Sequence, residues 1–213
     1  MVIPDRRYER RQPSRDAKKI FIVCEGKKRE SQYFRYFQEM DSRIDLRIPE
    51  IRQDDDNSPR GLLKKACELK TEDIDQVWIV FDRDPDLMDT RRPQIEEIRR
   101  VCSSRASWDA AVSNPCFEVW LFYHLFDHIP NTDRLEESET WRRELHEKEP
   151  GGFDSRRHPL LIENAIRNSV SLFRTNQQGE PDVGSTEVFK LAEQILPFAV
   201  ETLASRKADL GIE

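Results

Sequence analysis

The 213-residue chain has no apolar run near the roughly 18–20 residues that a helix crossing a membrane requires, so no membrane partner is expected. It has no GxxxxGK[ST] loop, which excludes a P-loop ATPase, and no GxGxxG, which argues against a dinucleotide site. A GxSxG elbow for a serine hydrolase is also missing. None of the four cysteines, Cys24, Cys67, Cys102 and Cys116, forms a CxxC, and two of them sit inside apolar runs. Buried free thiols in a reducing compartment account for them better than disulfides or structural zinc. Basic excess is lacking too: the net charge is −6, so this is no generic basic nucleic-acid binder. The first nineteen residues hold no apolar segment of a secretory signal, and the expected location is cytoplasmic.

What the chain does have is blocks. Ile20–Val23 and "VWIVF" at 77–81 are unbroken apolar runs, the mark of strands buried on both faces of a parallel sheet. Helical spacing follows the first, with Tyr33, Phe34, Tyr36, Phe37 and Met40 on one broad face over 28–41. Residues 43–51 alternate through Ile44, Leu46 and Ile48, a half-buried strand near an edge, since Pro49 lacks a ladder donor. A helix is expected at about 59–70, another at 93–102, and a shorter strand at 107–113. Strands thus alternate with helices up to residue 113, an α/β pattern with a small, mainly parallel four-stranded sheet. Beyond 115 the pattern is helical, at 116–128, 133–149, about 158–174 and about 186–208. The expected organisation is a basic arm over 1–17, a core over 18–130 and a helical extension over 131–213 packed on it. Asn114 and Pro115 suit a helix start, and Ser185 or Thr186 suits the cap of the last helix.

Both apolar runs end in acid: Glu25 follows the first, and Asp82 and Asp84 follow the second. Parallel sheets bind ligands beyond the carboxyl ends of their strands. If the two strands are neighbours, their ends lie about 5 Å apart. Three carboxylates there repel unless protons or a cation neutralise them, and all-oxygen donors suit Mg²⁺, with Mn²⁺ as a substitute. Gly26 suits the compact turn after Glu25. Glu118 sits inside the apolar "NPCFEVWLFYHLF" and must meet an arginine, a backbone donor, a proton or a metal. As a functional group it stands at the rim of the metal site. Lys27, Lys28 and Arg29 open the helix after Glu25, either as phosphate binders or as ordinary surface charge. The basic arm before residue 20 reads either as a solvated tail or as an arm that touches phosphates. His124 and His128 have ligand spacing but no HExxH, and read as ordinary surface or packing histidines. Trp141 and the amphipathic 186–208 stretch pack on this chain or on another copy, which leaves a homo-oligomer open.

"IFIVCEGKKRESQYF", "VWIVFDRDP" and "SNPCFEVWLFYHL", in that order, resemble the RloB-like family of prokaryotic defence proteins. The resemblance covers residues 18–130 closely and "GSTEVFKLAEQI" loosely. It implies a Toprim-like fold in which Glu25 is the strand-end glutamate and Asp82 and Asp84 are the DxD pair. In that fold the acids bind Mg²⁺ for phosphodiester chemistry. It also implies a setting in phage defence or abortive infection, sometimes beside an ATPase partner. One departure stands out: relatives tend to read EGxxTE, whereas here Arg29 replaces the threonine and Glu30 remains. The leading expectation is a Mg²⁺-dependent nuclease acting on DNA or RNA. Glu25 is a metal ligand or general base, Asp82 and Asp84 hold metal, and Glu118 is auxiliary. A non-catalytic Toprim-like sensor controlling a partner is the alternative. A phosphatase of the haloacid-dehalogenase type, with Asp82 as nucleophile, is a lesser one.

Overall fold

A computed structural model describes residues 11–26, 29–50, 54–149 and 151–212. Their centre is a five-stranded sheet of order β2-β1-β3-β4-β5. Strands β1 (Lys18–Cys24), β2 (Ile44–Arg47), β3 (Gln76–Asp82) and β4 (Trp108–Asn114) run parallel. β5 (Ser185–Thr186) adds an antiparallel edge to β4. The expected sheet of four strands therefore gains a fifth. Ser185 and Thr186, expected as a helix cap, form that strand instead, and the cap position of the last helix falls to Glu187. The Thr186 hydroxyl still accepts the Val188 N–H at 3.2 Å.

Side chains alternate across a strand, and that alternation divides the core in two. Phe21 and Val23 of β1, Val77, Ile79 and Phe81 of β3, and Ala110 and Val112 of β4 point to one face. They meet Leu62, Leu63 and Ala66 of α2 (Pro59–Cys67) and Ile95, Ile98 and Cys102 of α3 (Met88–Ser103). Ile20, Ile22, Trp78, Val80 and Ala111 point the other way, into a larger, aromatic cluster. Tyr33 and Phe34 of α1 (Arg29–Arg35) and Val119 to Phe122 of α4 (Glu118–Phe122) fill it. Trp141 of α5 (Ser138–Lys148), Ala165 of α6 (Ile162–Leu172) and Leu191 and Ile195 of α7 (Val188–Leu210) close it. Trp141 is thus buried within its own chain, its indole N–H donating to the Leu135 carbonyl at 2.9 Å.

Several helices are shorter than their periodicity predicts. α1 stops at Arg35, and Tyr36 to Gln38 continue in single turns whose N–H groups reach back three residues. Asn114 ends β4 rather than capping a helix, the Asn114–Pro115 peptide is cis, and α4 begins at Glu118. Of the basic arm, Arg11 and Ser14 pair their N–H groups with the carbonyls of Glu39 and Ser42. Residues 1–10 lie outside the described residues. No described helix is long and apolar enough to cross a membrane.

Candidate functional site: an acid cleft at the carboxyl edge of the sheet

The pairing of β1 with β3 places Cys24 opposite Val80, so the residues that leave the two strands emerge side by side. Glu25 donates its N–H to the Val80 carbonyl at 2.9 Å, and its Oε2 accepts the Asp82 N–H at 3.1 Å. A second acid arrives from α1: Glu30 is buried, and its carboxylate lies against Gly26. A Cβ at position 26 would occupy the place of that carboxylate, so glycine lets Glu30 sit against the turn. Glu25, Glu30 and Asp82 line one open cleft of about 530 Å³, with Phe117 and Glu118 on the β4 side.

The electrostatics are those of acids crowded together. Burial, then the charges of Glu30 and Glu25, push the Asp82 carboxyl well above the usual range, against the pull of Arg91 and a Phe117 N–H. Burial also raises Glu30, with Glu25 adding to the shift. Arg91, on the first turns of α3, is the nearest counter-charge. Its Nη2 and Nη1 donate to the two Glu25 oxygens at 2.6 and 3.0 Å, and Nη1 also donates to the Asp82 carbonyl at 2.8 Å. This two-pronged geometry is the strong form of an arginine–carboxylate pair.

The expected site residues are partly brought together. Glu25 and Asp82 meet. Asp84 turns aside in a left-handed conformation (φ 50°), 3.7 Å from Arg91 Nη2, and does not line the cleft. Of the alternatives open for Glu118, the structure shows arginine pairing: it is buried and held by Arg29 Nη1 and, at 3.2 Å, by Arg142 Nε. Arg29 therefore contributes one nitrogen to Glu118 and still lines the cleft. Lys27 and Lys28 lie outside the described residues. His124 is a packing residue, its rings shared with Tyr33, Trp120 and Phe153. Its Nε2 meets the Tyr33 hydroxyl at 3.1 Å and its Nδ1 the Trp120 carbonyl at 3.0 Å, and burial holds its pKa down to about 3. His128 is exposed.

Sequence reasoning left Glu30, Arg91 and Arg142 out of the site. Glu30 carried a signal, since it stands five residues after Glu25 on the first turn of the next helix. Arg91 carried none among the many arginines around it.

Whether a divalent ion suits these residues can be judged from the donors. Among the described residues no group of three or more His, Cys, Asp or Glu stands in metal-binding geometry. Mg²⁺ is held by one or two carboxylates with waters completing its shell. Asp82 and Glu30 meet that demand by donor type, and their mutual charge makes a cation favourable there.

The fold and the cleft define an α/β protein with an acid-lined cleft at the carboxyl edge of a mainly parallel sheet. The chain belongs to the RloB-like family, whose family model matches residues 20–195. No curated protein and no solved structure matched the chain in similarity searches.

Proposed function

We propose that the protein is a Mg²⁺-dependent nuclease with a Toprim-like core, acting on DNA or RNA in prokaryotic phage defence or abortive infection. The observation that supports this reading is the convergence of Glu25, Glu30 and Asp82 on one open cleft, with Asp82 and Glu30 set against each other's charge. Asp82 and Glu30 would hold the ion, which supplies charge neutralisation at a phosphoryl group and an activated water. Glu25, fixed by Arg91 in two hydrogen bonds, accepts the Asp82 N–H and would serve as a base lining the cleft. Arg29 and Arg142 present guanidinium groups at the rim, suited to phosphate oxygens. The acidic net charge places the burden of substrate affinity on such local groups, on the basic arm, or on a partner such as an ATPase subunit.

The test is incubation of the protein with plasmid, single-stranded DNA and tRNA in Mg²⁺, Mn²⁺ or EDTA, beside Asp82→Ala. Metal-dependent cleavage by the wild type that the variant loses is the expected result. Equal cleavage by both proteins, or none in any lane, contradicts it. The second reading, a non-catalytic sensor or regulatory subunit of a defence complex, draws on one observation. Arg91 already neutralises Glu25, as a structural pair would. It predicts that defence survives Asp82→Ala.

A further inference from the structure

A second cleft, of about 690 Å³, adjoins the acid cleft and shares Arg29, Glu118 and Arg142 with it. Glu118 is the post between them. It draws Arg29 from α1 and Arg142 from α5 to the boundary, engaging one nitrogen of each. An arginine carries five N–H donors, so each keeps donors for an oxyanion at that boundary. Beyond it the cleft changes character. Leu121 and Leu145 form an aliphatic floor, and Phe153 stands on the far wall. Gly151 and Gly152, with φ of 96° and 71°, turn the chain after α5 and bring Phe153 back against His124, 5.2 Å between ring centroids. Gln32 ties this wall to α1 by donating to the Ser155 hydroxyl at 3.0 Å. Arg143 and His146 of α5 complete the rim.

An aromatic wall, an aliphatic floor, amide and imidazole edges and a mouth where Arg29, Arg142 and Arg143 outnumber Glu118 and Glu139 together describe the needs of a nucleotide: a surface for the base and donors for its phosphate. We infer that this second cleft receives one unstacked nucleotide of a single strand. Its base lies over Phe153 and its phosphate lies at Arg29, Arg142 and Arg143. This rests on the nuclease reading above and adds a substrate class to it. A base reaches such a pocket only when it is free of a duplex, so the strand is single-stranded or locally unpaired. The next phosphate along the strand then faces Glu25, Glu30 and Asp82.

Fluorescence anisotropy in EDTA separates binding from cleavage. The probes are end-labelled 12-nucleotide DNA and RNA single strands, a blunt duplex of the same sequence, and a labelled mononucleotide. The variants are Arg143→Glu, whose only described ion pair is an exposed one to Glu147 at 3.8 Å, and Arg105→Glu, a charge-reversal control stacked on Trp108. Thermal melts confirm that both fold. The expected result is single-strand binding about tenfold tighter than duplex binding, weakened about tenfold by Arg143→Glu and unchanged by Arg105→Glu. Duplex binding as tight as single-strand binding, or Arg143→Glu binding like wild type, overturns the inference. A mononucleotide that binds as tightly as the strand also overturns it and makes the cleft a site for free nucleotide. Cleavage in Mg²⁺ is scored separately. Arg143-dependent binding without cleavage would therefore refute the nuclease reading and leave the nucleotide cleft standing.

Discussion

Two acids at the sheet, Glu187 buried and Asp82 half-buried, live in opposite surroundings. Glu187, between β5 and α7, is buried and fully met. Arg99 donates to it at 2.5 Å, Lys190 at 2.7 Å and the Val112 N–H at 3.3 Å. Burial works against the charge of Arg99, but Glu187 and Glu180 more than offset it and hold its pKa above the ordinary value. Asp82, at the end of β3 on the other side of β4, faces Glu30 and Glu25, and its pKa is driven up. A buried acid that serves only the fold brings its partners with it. An acid that faces other acids weakens the fold and is kept where a ligand supplies the missing charge.

Breaking each side of this contrast gives different readouts. The largest effect is on chemistry. Asp82→Asn should lower metal-dependent cleavage by roughly a thousandfold or more, measured as single-turnover rates, without lowering the melting midpoint. Next comes stability at the other acid. Glu187→Ala leaves the partly buried Arg99 with Glu180 alone and should cost about 2–3 kcal/mol in urea unfolding. An unchanged midpoint there would blur the contrast.

A smaller effect separates pH sensitivity in the aromatic core from the cleft. His124, packed among Tyr33, Trp120 and Phe153 with the His158 charge nearby, is held by burial at a folded pKa of about 3 against an ordinary 6.5. The unfolded chain binds the proton first, so the stability this site contributes is present above about pH 6.5. It is lost progressively as pH falls toward 3. Between pH 7 and 5 the wild type should lose ~1–2 kcal/mol that His124→Gln does not lose, read from unfolding at both pH values. Smallest of all is the surface: Glu137→Ala, which removes an exposed pair with Arg134, should leave the midpoint where it was.

The sheet's centre could be read from the sequence because β1 and β3 are buried on both faces, so their apolar runs are continuous and their ends are marked by Glu25 and Asp82. That these ends meet followed from adjacency, which the register provides. β5 could not be read: two residues are too short to show a period of two, and Ser185 and Thr186 look like any helix cap. The end of β4 misled for a related reason, since Asn-Pro is a common helix opening and nothing local marks a cis bond. Arg91 was invisible because its role depends on how α3 crosses the strand ends. Glu118 was legible as a problem, a charge in an apolar helix, but its two arginines come from α1 and α5, 89 and 24 residues away.

The most direct test of the contrast between the two acids is the melting midpoint of wild type and Asp82→Asn, each in EDTA and in Mg²⁺. If Asp82 is kept for a cation, the variant melts at or above the wild type in EDTA, and Mg²⁺ raises the wild type alone by about 2–4 °C. A variant that melts several degrees lower, with no response to Mg²⁺ in either protein, would show that Asp82 is a structural acid like Glu187.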